Sequence, residues 1–232
     1  MKKLISALIT SLCLVGFQST SQATDVSFSA GLASSYGGYH ATGTEEIAQE
    51  GGDYNEVRIT EEAGVFTDSH QSIFGEMNIG DNMSVGVEFA LGDISTPTNT
   101  NVTSDKVTGS GVNTAAQKEN TVSASFSDKT TVYIQARMLG GLYSKIMYHT
   151  VNVISEETLN TGGSYGDATV EGLGLGLGYQ HDFDDLGVFV RAEVTASGYE
   201  DVKAINSDDN VKTVKINNMY GAEGSIKVGK TF

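Results

Sequence analysis

Charged side chains recur at alternate positions within stretches that are otherwise apolar. Glu76 lies between Gly75 and Met77, and Arg191 lies between two apolar neighbours in the same way. Because successive side chains of a strand point to opposite faces, this spacing separates a charged face from an apolar one. Buried charges must be paired, since an unpaired one costs several kcal/mol. We therefore predict an internal ion-pair network, whose members are Glu76, Glu88, Arg137, Lys145, Arg191, Glu193, Glu223 and Lys227.

The residue patterns of catalysis and cofactor binding are absent from the sequence. The four histidines are scattered, and neither HExxH nor GxSxG occurs. The alternating glycines of 172–178 lack the strand–turn–helix context of a nucleotide loop. His149 falls on the charged face, so no Ser-His-carboxylate set can be assembled on one outer surface. We expect no catalytic residues, no metal site, no cofactor and no enzymatic activity.

Period-two alternation of apolar residues predicts the elements that carry these charges. An apolar parity persists on both sides of Asp128, so 118–128 is either part of one long strand or a separate hairpin. The glycines at 172, 174, 176 and 178 are expected to leave room for Arg and Lys side chains. The predicted strands are 26–33, 73–79, 83–91, 122–138, 142–148, 172–179, 188–196 and 216–232.

The connections between these segments alternate strictly in length. Short turns are predicted at 80–82, 139–141 and 181–186, and long connections at about 40–70, 93–118, 154–168 and 200–212. Transmembrane barrels have short periplasmic turns, long extracellular loops and an even number of strands. A soluble β-sandwich also has alternating strands, but not this asymmetry between its ends. The sequence therefore predicts an all-β fold, an eight-stranded antiparallel up-and-down transmembrane β-barrel.

Aromatic residues lie near the ends of the apolar faces, as the two girdles of a membrane barrel would. Tyr220 and Phe232 are separated by about 40 Å along a strand at roughly 3.3 Å per residue. A tilt of roughly 40° shortens this to about 30 Å across the membrane. The predicted girdle consists of Phe28, Tyr179 and Phe232 at one end and Tyr36, Tyr148 and Tyr220 at the other.

The N-terminus has the features of a secretory signal peptide. A positive start, an apolar stretch over Leu4–Phe17 and small residues before Thr24 predict a signal peptide at 1–23 and a barrel domain at 24–232. Cys13, the only cysteine, lies in the apolar stretch, so the exported chain has no thiol or disulfide chemistry. The net charge of −15 argues against binding of nucleic acid.

The chain resembles the small outer-membrane β-barrel proteins of the OmpA/OmpX type. The resemblance rests on the signal peptide, the Gly-Ser-Tyr-Gly run at 163–166 that leads into 172–179, and the ending 226–232. It implies export to the outer membrane of a Gram-negative bacterium. It also implies recognition by the barrel-assembly machinery through Ile226, Val228 and Phe232. Lys230 departs from the pattern, because many such endings have a hydrophobic residue there.

An eight-stranded barrel has an interior just wide enough for side chains, which favours a lumen plugged by ion pairs. We expect a structural or surface-interaction role, with outer-membrane lipid and lipopolysaccharide as partners and a monomer as the oligomeric state. The acidic loops suit cation bridging to lipopolysaccharide or adhesion. A small porin-like channel is the alternative, and a lipid A-modifying barrel enzyme is a more distant one.

Overall fold

The structure is a computed structural model that describes residues 25–48, 57–104, 117–159, 164–207 and 212–232. The predicted signal peptide over 1–23 lies outside the described residues. Eleven strands account for most of the described chain. They are β1 (Val26–Ala48), β2 (Val57–Ile79), β3 (Met83–Ala90), β4 (Ile94–Ser95), β5 (Asn99–Ser104), β6 (Gln117–Arg137), β7 (Leu142–Leu159), β8 (Ala168–Phe183), β9 (Val188–Tyr199), β10 (Val202–Ile205) and β11 (Lys212–Thr231).

Eight of these strands form a closed antiparallel ring in the order β1-β2-β3-β6-β7-β8-β9-β11. The ring closes between the first and last strands, where Leu32 lies opposite Val228. At the end of this seam the amide of Phe232 donates to the carbonyl of Phe28 at 2.8 Å. The predicted eight-stranded antiparallel barrel is confirmed.

Three tight turns connect β2 to β3, β6 to β7 and β8 to β9 at one end of the barrel, which we call the short-turn end. Glycines with positive φ shape each of them: Gly80, Gly140 with Gly141, and Gly187. Most residues with a Cβ are strained at such angles, so glycine is the expected choice. The opposite end, where the other connections lie, is called the long-loop end.

The strands extend further at the long-loop end than the sequence pattern predicts. β1 runs to Ala48 and β2 begins at Val57, so most of the predicted loop at 40–70 is paired strand. β6 is a single strand of 21 residues, which resolves the alternative left open for 118–128. β4, β5 and β10 are short additions to these extensions. No helix in the described part of the chain is long and apolar enough to cross a membrane.

Two β-bulges mark the base of the extensions. β6 gains one residue relative to β7 between Ser127 and Thr130, and β11 gains one relative to β1 next to Asn218. Asp128 and Asn218 both have a positive φ, at 53° and 51°. An inserted residue changes the face to which the following side chains point. The bulges therefore divide each strand into two segments with opposite parity.

The bulges correct the prediction that the apolar residues of each strand share one face throughout. Phe126 and Ile216 pack inside the extensions, against a buried cluster of Val151, Val153, Val170 and Met219. Below the bulges the apolar residues face outward, as Ile134 and Ile226 do at 42% and 55% exposure. The sequence alternation continues across each bulge, but the side chains change sides.

Candidate functional site

The lumen of the barrel carries the buried charged residues. Nearest the short-turn end, the guanidinium of Arg191 forms a two-pronged ion pair with Glu76, and both side chains are fully buried. Arg191 Nη2 donates to Glu76 Oε2 at 2.7 Å, while its Nε donates to Gln180 at 2.6 Å. The hydroxyl of Tyr133 donates to the same carboxylate at 2.7 Å. Each charge is therefore held by several hydrogen bonds, which such a pair requires for stability.

Four charges form a central cluster above this pair. Lys145 and Lys227 share Glu193, at 2.6 Å and 3.2 Å, and Lys227 also reaches Glu88 at 2.5 Å. Ser72 donates to Glu88, also at 2.5 Å. Two positive and two negative groups alternate in space, so the cluster is neutral as a whole. Such a closed set leaves no buried charge without an opposite one.

A third pair lies closer to the long-loop end. Lys129 contacts Glu223, and the hydroxyl of Tyr39 donates to Glu223 at 3.1 Å. Sequence reasoning missed Lys129, because the open alternative of a separate hairpin at Asp128 left the face of the next residue undetermined. Its parity with the inward Thr131 and with Gln135, which is fully buried, is the signal that could have identified it.

Arg137 does not join the network. It lies at the mouth of the short-turn end, where its Nη1 is 3.5 Å from Asp182 and both side chains are substantially exposed. The structure therefore brings seven of the eight predicted residues into the buried interior and places Lys129 where a fourth base is needed. Among the residues that the structure describes, the interior has four acids and four bases, with Lys129 in place of Arg137.

A histidine pair lies beside the Lys129–Glu223 pair. His149 contacts the hydroxyls of Thr131 at 2.9 Å and Ser197 at 3.0 Å through its two ring nitrogens. This Ser-His contact has a threonine, not a carboxylate, as its third hydrogen-bonded member. His70 lines the same small cavity of about 30 Å³. Among the described residues, no three His, Cys, Asp or Glu side chains are grouped so that they could hold a metal ion.

Inward aromatic rings lie over glycines on the neighbouring strand. Tyr143 is directly opposite Gly178, and a Cβ there would overlap its ring. Of the glycines predicted to make room for Arg and Lys, only Gly176 faces a lysine, whereas the others face Tyr143, Tyr199 and His149. These glycines therefore leave space mainly for aromatic rings, and the rings lie beside the charged side chains of the lumen. The six directly opposite pairs are Gly31–Phe74, Gly86–Tyr133, Gly172–Tyr199, Gly178–Tyr143, Gly221–Tyr39 and Gly229–Phe189.

The outer wall has the opposite character from the lumen. Leu173, Leu175 and Leu177 are 68%, 65% and 59% exposed, whereas the side chains of Arg191 and Glu76 have no exposure. A continuous apolar belt of this kind is unfavourable in water. This is the architecture of a transmembrane β-barrel. The residues predicted as its girdle face outward, with Tyr36, Tyr148 and Tyr220 toward the long-loop end and Phe28, Tyr179 and Phe232 toward the short-turn end. Ile226 and Val228 are also exposed on this wall. Together with Phe232 they are the residues predicted to be recognised by the barrel-assembly machinery.

Solved structures similar to this barrel are small outer-membrane β-barrels. OprG from Pseudomonas aeruginosa is 14% identical with a TM-score of 0.46, and the match covers 87% of this chain and 96% of OprG. Ail of Yersinia pestis is 11% identical with a TM-score of 0.35, over 87% of this chain and 99% of Ail. The outer-membrane protease OmpT from Escherichia coli is 11% identical with a TM-score of 0.40, over 93% and 99%. No family model matches the chain, and no curated protein does.

Proposed function

We propose that the protein is an integral outer-membrane barrel with a structural and surface-interaction role, whose plugged lumen holds the long-loop end rigid. The observation that carries this proposal is the filled cross-section at Arg191. Arg191, Tyr143 and Gln135 are each 0% exposed there. A layer of side chains that solvent does not reach stiffens the barrel and leaves no open path for ions.

A second layer closes the lumen nearer the long-loop end. Val151, Val153, Val170 and Met219 are buried together between the ion pairs and the strand extensions. An ion that crossed this apolar layer would lose its hydration without gaining polar partners. The two layers together favour a closed interior, with recognition left to the extensions and loops.

Single-channel recording tests the plug. We expect the refolded protein to be silent in a planar lipid bilayer, because the ion pairs and the apolar layer block the path. A conducting porin inserted under the same conditions is the positive control, because it shows that the recording detects an open barrel. Steady openings of the unaltered protein whose ion selectivity changes in Glu193→Gln would contradict the plug.

A small channel is the second candidate, and one observation favours it. Polar cavities lie on both sides of the Arg191 layer: the small one beside His70, and one of about 330 Å³ at the short-turn mouth beside Arg137 and Asp182. Rearrangement of the central ion pairs would be needed to join them. The recording described above separates this candidate from the plug.

The remaining parts of the proposal concern chemistry and partners. We propose that the protein is not an enzyme, a proposal supported by the threonine in place of a carboxylate beside His149. We also propose that it is a monomer in the outer membrane of a Gram-negative bacterium, in contact with membrane lipid and lipopolysaccharide after insertion by the assembly machinery. The outward apolar belt supports the lipid contact.

A further inference from the structure

A groove runs across the lipid-facing wall near the long-loop end. Its floor consists of Ala196, Ala222 and Gly38, which lie directly opposite one another on β9, β11 and β1. Leu175 stands beside Ala196 in the same row, and Tyr220 stands in the row above. The depression holds about 860 Å³, within the range of ligand-binding pockets. Three adjacent small residues between large ones thus indent the wall.

The position of the groove limits what can fill it. Leu173, Leu175 and Tyr220 on its borders are 57–68% exposed, so they belong to the lipid-facing belt. A void between the wall and the surrounding lipid would lose dispersion contacts on both sides. The occupant available at this depth of a bilayer is a hydrocarbon chain.

Two lysines lie on the same side of the wall, beyond the groove toward the long-loop end. Lys203 on β10 is directly opposite Lys215 on β11. Both face outward, because their neighbours Val202 and Ile216 pack inside. Like charges opposite each other destabilise a sheet unless an anion compensates them. Glu46 contacts Lys215 at 2.7 Å, whereas Lys203 has no ion pair with the acids that the structure describes.

Two opposed lysines are unusual in a chain whose net charge is −15. Lys215 and Tyr220 are five positions apart along β11, or at most about 17 Å at roughly 3.3 Å per residue. An anionic headgroup at the lysines and an acyl chain in the groove therefore lie at depths that one lipid molecule spans. Glu171 and Glu200, on the β8–β9 side, would direct that headgroup toward β10 and β11.

We propose that the groove binds one acyl chain of lipid A, the phosphorylated anchor of lipopolysaccharide, with a phosphate group over Lys203 and Lys215. The inference rests on the proposed function, because the long-loop end then lies in the outer leaflet, where lipid A is the anionic lipid. A bound lipid A molecule seals the groove and compensates the lysine pair at once.

Retention of lipid A by the folded barrel tests this proposal. The protein is reconstituted in phosphatidylcholine nanodiscs that contain graded amounts of lipid A, and released complexes are counted by native mass spectrometry. We expect one retained lipid A in the unaltered protein. Ala222→Phe fills the groove and should abolish this retention, whereas Ala136→Phe, on the exposed wall of β6, should leave it unchanged.

The headgroup contact is tested with charge variants in the same assay. Removing a lysine near an anionic lipid weakens binding by about fivefold. Lys203→Gln and Lys215→Gln should each do so, whereas Lys230→Gln near the short-turn end should not. Equal retention in Ala222→Phe and Ala136→Phe would overturn the groove. Equal retention of phosphatidylglycerol and lipid A would overturn the assignment to lipid A.

Failure of the proposed function has a different signature. A folded membrane barrel migrates faster in electrophoresis before heating than after it, and this shift is measured on each variant first. Loss of the shift in the unaltered protein would reject the membrane barrel. An intact shift without retained lipid A would reject the groove alone.

Discussion

Arg191 is the residue on which most of the lumen's short-turn half depends. Its guanidinium binds Glu76 and Gln180, and the ring of Phe189 lies 4.4 Å from its central carbon. Removing one partner of a buried pair leaves a charge without compensation, which costs more than the pair itself contributes. The interior is therefore sensitive to single substitutions even though its net charge is balanced.

We expect Glu76→Ala to destabilise the folded barrel by about 3–5 kcal/mol, because it leaves Arg191 buried and unpaired. The control is Arg137→Ala, which removes the partly exposed base of the Arg137–Asp182 pair and should cost less than about 1 kcal/mol. Urea unfolding in lipid vesicles, followed by circular dichroism, measures both; the chain has no tryptophan to report. Equal destabilisation of the two variants would show that burial does not govern these pairs.

Sequence reasoning predicted the chemistry of the lumen better than its membership. Glu88, Glu193 and Lys227 lie in uninterrupted alternating stretches of their strands, so their inward position follows from period-two spacing. Lys129 shares the parity of Thr131 and Gln135, but it directly follows the bulge residue Asp128, so its position depends on where the regular stretch begins. Arg137 has the correct parity, but it is the last residue of β6 and reaches solvent. Parity specifies a face but not the depth of a residue along the barrel.

At the scale of elements, pairs of glycine and aromatic residues determine how closely the lumen packs. Tyr143 lies flat over Gly178 while its hydroxyl donates to Glu193 at 2.9 Å. The glycine therefore contributes to the position of an ion-pair partner on another strand. A side chain at Gly178 would lift the ring and lengthen that hydrogen bond.

Gly178→Ala should destabilise the barrel by about 1–3 kcal/mol, the usual cost of overpacking. Its added Cβ meets the Tyr143 ring and comes within 2.8 Å of the Ala192 carbonyl oxygen. Gly75→Ala is the control, since a Cβ at Gly75 meets no atom within 4 Å. The same urea titration measures the difference. A Gly178→Ala protein as stable as Gly75→Ala would indicate that the aromatic ring moves freely.

The bulges have a physical purpose at this scale. Outside the membrane the apolar residues of a strand must turn away from water, whereas within it they face lipid. One inserted residue makes this change in β6 and β11, so that Phe126 and Ile216 point inward. β7 needs no inserted residue, because its inward side chains change along the sequence from the polar Lys145 and His149 to the apolar Val151 and Val153. The alternation of apolar and polar residues in the sequence continues unchanged across the inserted residue, so this pattern alone could not reveal the bulge.

Substitutions at Asn218 test the bulge of β11. The residue has a φ of 51°, a conformation that glycine adopts freely and that a β-branched residue resists. Asn218→Gly should preserve stability, and Asn218→Val should lower it by about 1–2 kcal/mol. Thermal loss of the fast-migrating folded form in electrophoresis measures the order of the variants. A Val variant as stable as the Gly variant would mean that the bulge has moved.

At the scale of the whole molecule, the barrel joins three environments along its axis. The short-turn end is formed by three tight turns, the middle is apolar outside and charged inside, and the long-loop end carries the paired extensions with an apolar interior. The middle could be predicted from alternation, since it repeats in all eight strands. The extensions could not, because Glu61 and Glu62 in β2 follow neither the apolar nor the aromatic pattern of a strand.

This polarity predicts a single orientation in the cell, with the long-loop end outside. The sequence has one cysteine, Cys13, so a Cys13→Ser background allows single reporters. Glu61 is exposed on the extension of β2, and Asp81 is exposed in the turn between β2 and β3. We expect a membrane-impermeant maleimide to label Glu61→Cys in intact cells and Asp81→Cys only after permeabilisation. Glu61 lies near the long-loop end of β2 and Asp81 lies in the turn just after that strand, so the two reporters differ in the side of the membrane that they reach. Labelling of Asp81→Cys in intact cells would reverse the orientation and place the lysine pair and its groove in the inner leaflet.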